Sequence, residues 1–164
     1  MEVKPLIIIL CGPVAAGKSS IARRLMELLP GSRVISTDAF KRRAYRRMMN
    51  ELFRSLGAYR YIILDGTFYR RRWRIRVREI VGDRGRILTV VLKAPLELCL
   101  RRNVERGKPI PEEAIHIIWN EFEWPQDADL EIETDKLDVE KAVKLILERV
   151  RELNGAHEPR GGAE

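Results

Sequence analysis

This sequence of 164 residues lacks an apolar run long enough to cross a lipid bilayer. Its longest unbroken apolar segment is Leu6–Cys11, whereas a membrane-spanning helix needs about 20 such residues. No small-residue cleavage site follows that segment, which argues against a secretory signal peptide. Only two cysteines are present, Cys11 and Cys99, and both lie in apolar segments, so a disulfide framework is excluded. We therefore expect a cytoplasmic protein with no membrane partner.

Acidic residues are scarce in the middle of the chain. Residues 41–86 carry 15 basic and 4 acidic side chains, while the whole chain has a net charge of +7. A basic segment in an otherwise slightly acidic chain favours a polyanionic partner. The alternative is a solvated arginine-rich surface, as in the ion-pair networks of thermophilic proteins.

Short apolar segments alternate with amphipathic helical segments along the chain. This alternation predicts an α/β fold with a five-stranded, mainly parallel sheet, whose ligands bind beyond the carboxyl ends of the strands. The predicted strands cover residues 3–11, 34–35, 61–64, 87–92 and 130–132. We expect a single domain over residues 1–153 and a disordered tail over residues 154–164.

A glycine-rich segment directly follows the first predicted strand and precedes a helix. It fits the phosphate-binding pattern G-x-x-x-x-G-K-[ST], in which backbone N–H groups curl around phosphate oxygens. The lysine supplies a positive charge to the outer phosphates, and the serine hydroxyl can bind Mg²⁺. The pattern predicts a P-loop NTPase fold with helices on both faces of the sheet. The expected ATP-binding residues are Gly12, Pro13, Val14, Ala15, Ala16, Gly17, Lys18, Ser19 and Ser20.

Two aspartates follow the next two strands in the sequence. Asp38 stands where a base could activate an acceptor hydroxyl, although a helix N-cap in this position would look the same. Asp65 ends the third strand, where a carboxylate would assist Ser19 in binding Mg²⁺, or it simply forms an Asp-Gly turn.

Arg102 and Arg106 have the R-x-x-x-R spacing that places both side chains on one face of a helix. They precede Gly107-Lys108-Pro109, which we interpret as a hinge. Together they predict a lid over about residues 101–112 that presents cations to the nucleotide phosphates, with Lys18, Asp38 and both arginines as catalytic residues. An exposed basic helix end is the alternative.

The order of motifs resembles the kinase domain of O-phosphoseryl-tRNA(Sec) kinase, within the adenylylsulfate-kinase-like and polynucleotide-kinase-like group. The likeness covers roughly residues 5–150 and is carried by the phosphate loop and four later segments. These segments are Ser36-Thr37-Asp38, the stretch from Leu64 to Tyr69, the stretch from Lys93 to Asn103, and Pro109 to Ile115 with the closing Phe122-Glu123-Trp124-Pro125. The resemblance implies that Asp38 acts on a seryl hydroxyl and that Arg102 and Arg106 belong to the lid.

The predicted function is ATP- and Mg²⁺-dependent phosphorylation of a hydroxyl, with seryl-tRNA(Sec) as the leading acceptor. In that case Arg42, Arg71 and Arg74 of the basic segment are expected to bind the polyanionic acceptor, a tRNA or other nucleic acid. Three alternatives stay open: a kinase of a small phosphorylated or sulfated metabolite or nucleotide such as adenylylsulfate, a polynucleotide 5′-hydroxyl kinase, and a nucleotide-dependent RNA-binding module without catalysis. The sequence also leaves open whether the chain forms a homodimer.

Overall fold

The computed structural model describes residues 4–107 and 109–155 of the chain. Its five strands form one parallel sheet in the order β2-β3-β1-β4-β5, so the predicted α/β fold is confirmed. The strands are Leu6–Cys11 (β1), Ser32–Ser36 (β2), Tyr61–Asp65 (β3), Arg86–Lys93 (β4) and Leu130–Glu133 (β5). The α-helices of the described residues are Lys18–Leu28 (α1), Ala44–Ser55 (α2), Arg71–Val81 (α3), Leu96–Glu105 (α4), Glu112–Asn120 (α5) and Val139–Gly155 (α6).

Helices cover both faces of the sheet because the central strand is apolar on both sides. Leu6, Ile8 and Leu10 of β1 face a core shared with α1 and α6. Ile7 and Ile9 face a second core, shared with α2 and α3. Every residue of β1 is buried, as expected for a parallel strand covered on both faces.

This topology brings the predicted functional residues to one edge of the sheet. The strands β1, β2 and β3 are parallel neighbours, so their carboxyl ends open on the same side. The glycine-rich segment leaves β1, a 3₁₀ turn at Thr37–Ala39 follows β2, and Asp65 is the last residue of β3. The three sequence features that we singled out therefore lie around one depression.

The carboxyl-terminal helix extends further than the sequence predicts. Asn154 and Gly155, which we expected in a disordered tail, belong to α6. The Asn154 side chain donates to the Tyr61 hydroxyl at 3.0 Å and accepts from Arg86 at 3.2 Å, which ties the helix end to the sheet. The rest of the expected tail, residues 156–164, lies outside the described residues. No helix in the described ranges has the length and apolar character that a membrane crossing requires.

Candidate active site

The loop between β1 and α1 has the backbone that a phosphate cradle needs. Gly12 lies against β4, where an added Cβ would come within 2.5 Å of the Leu92 carbonyl oxygen, so no side chain fits there. Gly17 has φ near +104°, a conformation that glycine adopts without strain. Helix α1 begins directly after it with no side-chain cap and no acid in its first turn. Its positive N-terminal end therefore opens into the loop, where anions are stabilised.

The Lys18 side chain folds back against the backbone of this loop. Its ammonium donates to the carbonyl oxygens of Gly12 at 2.9 Å and Pro13 at 2.6 Å. The side chain is buried, and burial lowers the pKa of Lys18, an effect that nearby Asp65 partly offsets. The charge is thus held beside the loop backbone, where it can meet phosphate oxygens.

Ser19 and Asp65 meet although they lie 46 residues apart. The Ser19 hydroxyl donates to the Asp65 carboxylate at 2.8 Å, and Asp65 is buried with an exposure of 5%. An aspartate that only formed an Asp-Gly turn would not need this partner. Within the described ranges no cluster of three His, Cys, Asp or Glu side chains could hold a metal. A hydroxyl and one carboxylate instead fit Mg²⁺, which takes its remaining oxygen ligands from substrate phosphates and water.

Asp38 faces the same depression from the 3₁₀ turn after β2. The turn is capped by Ser36, whose hydroxyl accepts from the Asp38 backbone N–H at 3.3 Å. Helix α2 starts later, at Ala44, so the Asp38 carboxylate caps neither element. That carboxylate is largely exposed and has the Arg106 guanidinium at 3.7 Å.

The two arginines expected in the lid have different partners, although both line a cavity beside the phosphate loop and Thr134. Arg106 reaches the depression, where it pairs with Asp38. Arg102 instead donates to Thr134, at 2.9 Å to the backbone oxygen and 3.2 Å to the hydroxyl, and lies 3.5 Å from the Ala15 carbonyl oxygen. Because its hydrogen-bond acceptors belong to Ala15 and Thr134, Arg102 links the phosphate loop to the segment after β5.

Asn103, which the sequence did not single out, organises the segment after α4. Its buried side chain bonds both backbone groups of Ile110, donating to the oxygen at 2.7 Å and accepting from the nitrogen at 2.9 Å. Ile110 in turn lines the depression. Within the predicted lid at 101–112 and its hinge, Lys108 lies outside the described residues. The only local sequence signal for these two hydrogen bonds is an asparagine near the end of a helix, ahead of a loop that contains proline.

Together these groups line one cavity of about 390 Å³ at the carboxyl edge of the sheet. The phosphate loop, Asp38, Asp65 and Arg106 all contribute to it. Tyr45 forms a further part of its wall, and its hydroxyl accepts from the Phe68 N–H at 2.8 Å and lies 3.0 Å from the Thr67 hydroxyl. Tyr45 is not among the site residues that the sequence predicts.

The arginines selected as acceptor ligands are not the ones that border this cavity. Arg74 is 6% exposed and donates to the backbone oxygens of Phe68 at 2.5 Å and Glu123 at 2.6 Å. Its guanidinium therefore joins two chain segments, although the residue also lines, with Arg71, a surface cavity away from Asp38. Arg71 is exposed but lines a separate surface cavity beside Asp127, and Arg42 precedes α2 and lines neither this cavity nor that one.

Residues 7–123 match the model of a family described as an AAA domain (AAA_33). Among curated proteins, L-seryl-tRNA(Sec) kinase of Methanococcus maripaludis is 27% identical over 166 residues, covering 87% of this chain and 65% of that protein. Adenylyl-sulfate kinase of Halothermothrix orenii is 36% identical over 87 residues, covering 50% of this chain and 45% of that protein. The chain thus spans less than two thirds of the length of these relatives.

Among solved structures, APS kinase of Mycobacterium tuberculosis in complex with AMPPNP and APS superposes with a TM-score of 0.67. The two chains are 17% identical, and the alignment covers 90% of this chain and 98% of that one. At this identity the likeness shows a shared fold.

Proposed function

Because this chain belongs to the AAA-domain family of P-loop kinase domains (AAA_33), we propose that it transfers the γ-phosphoryl group of ATP to a hydroxyl of seryl-tRNA. The observation that carries the proposal is the meeting of four groups in one cavity. These are the phosphate loop with Lys18, the Ser19–Asp65 pair, the Asp38 carboxylate and the Arg106 guanidinium. A module that only bound nucleotide would need neither an exposed carboxylate facing the loop nor a cation opposite it.

The geometry suggests a role for each group. Phosphate oxygens of ATP would be met by the N–H groups of the loop and the first turn of α1, with Lys18 and Arg106 balancing their charge. Asp38 would accept the hydroxyl proton as the acceptor oxygen bonds to the γ-phosphorus, while the bond from that phosphorus to the bridging oxygen breaks and ADP leaves. Ser19 and Asp65 would hold Mg²⁺, which supplies positive charge next to the phosphates when it is bound.

Arg102 fits a positioning role better than direct contact with phosphate. Its bonds to Thr134 fix the guanidinium, and its approach to the Ala15 carbonyl supports the back of the loop. The Arg106 guanidinium and the Asp38 carboxylate are 3.7 Å apart, and the carboxylate is largely exposed. Arg106 can therefore leave Asp38 and bind a phosphate oxygen instead, as the cation of the lid. Within the predicted lid over residues 101–112, Arg106 would then turn towards the nucleotide while Arg102 stays bound to Thr134.

Transfer of label from γ-labelled ATP tests the proposal directly. The chain is incubated with serylated tRNA(Sec), with uncharged tRNA(Sec), and with adenylyl sulfate in separate reactions, and Lys18→Ala is the control for contaminating kinases. We expect label only in the serylated RNA, released as phosphoserine when the ester is cleaved by mild base. Label in adenylyl sulfate, or equal label in both RNAs, would contradict a seryl acceptor.

A kinase of a small acceptor such as adenylyl sulfate is the second candidate. It is supported by the 36% identity over 87 residues to the Halothermothrix adenylyl-sulfate kinase. The adenylyl sulfate reaction above separates the two candidates.

A further inference from the structure

A second cavity opens beside the first one, between the starts of α2 and α3. Its volume is about 400 Å³, and it shares Ala44, Tyr45 and Tyr69 with the cavity that contains Asp38. The two cavities are therefore neighbours that share these wall residues. An acceptor whose reactive hydroxyl lies at Asp38 can extend into the second cavity without crossing the phosphate loop.

The second cavity is lined by cations and by no carboxylate. Its charged residues are Arg43, Arg46, Arg70 and Arg72, and we name it the arginine cavity. Arg70 already pairs with Glu121 at 2.7 Å and Glu123 at 3.6 Å. For Arg43, Arg46 and Arg72 the described residues supply no carboxylate partner within 4.0 Å. Three of the four arginines in this cavity thus have no compensating carboxylate among the described residues.

Two helix ends add to this positive potential. Arg43 and Arg70 are the N-cap residues of α2 and α3, and neither cap makes a side-chain hydrogen bond to its helix. The first turns of both helices also lack an acidic residue. Acidic side chains normally stabilise such ends, and an anion in the cavity would do the same.

Aromatic side chains form the floor of the arginine cavity. The Tyr45 ring stacks on Trp73 with centroids 5.3 Å apart and an angle of 15°, and the Arg72 guanidinium lies 5.3 Å above the Trp73 ring. Planar guanidinium groups bind phosphate through paired N–H donors, and aromatic rings beside them are typical of surfaces that bind single-stranded nucleic acid.

From these observations we infer that the arginine cavity is a phosphate subsite, which holds the RNA backbone next to the reactive end of the acceptor. The inference rests on the proposed function, because it takes the acceptor to be an RNA. A small acceptor bound at Asp38 would need no phosphate contacts here and would leave Arg43, Arg46 and Arg72 without a ligand. An RNA acceptor carries phosphodiesters beyond its reacting group. The arginine cavity, which shares wall residues with the first cavity, lies close enough to bind them.

The test compares two double variants that remove the same charge from the same two helices. Arg46→Gln/Arg72→Gln changes the arginine cavity. Arg47→Gln/Arg76→Gln changes exposed residues of α2 and α3 that do not line it. Binding of a labelled single-stranded RNA of about 12 nucleotides is measured by fluorescence anisotropy at several salt concentrations. The melting temperature checks that each variant is folded.

We expect Arg46→Gln/Arg72→Gln to weaken RNA binding at least about tenfold at low salt, because two charge-assisted contacts are lost. The slope of log affinity against log salt should fall by about 0.7 for each lost phosphate contact. The control pair should change RNA affinity no more than about twofold, as expected for screened surface charges. Equal losses in both pairs, or no loss in the cavity variant, would overturn the inference.

The binding measurement also separates this inference from the proposed function, because it does not require transfer. If the wild-type chain fails to phosphorylate seryl-tRNA but the cavity pair still loses RNA binding selectively, only the proposed acceptor is wrong. If seryl-tRNA is phosphorylated with the same KM by both double variants, the arginine cavity is not the subsite. A raised KM for adenylyl sulfate with unchanged RNA affinity would assign the cavity to a small acceptor and overturn the inference too.

Discussion

Arg74→Met is expected to destabilise the fold rather than to weaken acceptor binding. The Arg74 guanidinium is buried and donates to two backbone oxygens, those of Phe68 and Glu123. A hydrogen bond to a charged group contributes about 1.5–3 kcal/mol, and the substitution leaves both oxygens without this donor. Methionine fills a similar length but offers no N–H group. We therefore expect the free energy of unfolding to fall by about 3–5 kcal/mol.

The same loss can be read as a change in melting temperature. For a chain of this size, 1 kcal/mol corresponds to about 2–4 °C, so the midpoint should fall by roughly 6–20 °C. Arg71→Met is the matched control, because Arg71 is exposed at the start of the same helix. Its effect should stay within about 0.5 kcal/mol, as for most surface substitutions.

Thermal unfolding followed by circular dichroism decides between a structural and a binding role for Arg74. A fall of less than about 3 °C, or equal falls for both variants, would refute the structural role. RNA affinity is measured below the midpoint of the weaker variant, and there we expect Arg74→Met to bind RNA as the wild type does. A loss of RNA affinity in the folded variant would show that Arg74 binds the acceptor.

Four further outcomes follow from the site. Lys18→Ala should abolish phosphoryl transfer while its circular dichroism spectrum stays that of the folded chain. Asp38→Asn should leave the Kd for ATP within about twofold but lower kcat by about 100-fold or more, since an acid–base group is lost while the side chain caps neither neighbouring helix. Asn103→Ala should accelerate tryptic cleavage of the loop that it clamps to Ile110, seen by mass spectrometry. Burial raises the pKa of the Cys11 thiol to about 11, so iodoacetamide at pH 8 should alkylate Cys11 only after unfolding in guanidinium.

Much of the fold can be read from the sequence because its signals are local. The unbroken apolar run of β1 predicts a strand buried on both faces, and the structure confirms it. In the phosphate loop, Gly12 marks a position where the backbone of β4 leaves no room for a side chain, and Gly17 one where a positive φ favours glycine. The apolar run of β3 likewise places Asp65 at the end of its strand. In each case the residue and its immediate neighbours contain the information.

The site depended on contacts between distant segments, which local patterns do not encode. The sequence predicts that both Arg71 and Arg74 bind the acceptor, yet Arg74 is buried, because a backbone oxygen 49 residues away accepts from it. Helical spacing grouped Arg102 with Arg106, but Thr134 holds the former and Asp38 faces the latter. An arginine has the same helical periodicity whether its guanidinium meets water, a carbonyl oxygen or a phosphate. Only the packing of one segment against another supplies the partner, and with it the role of the residue.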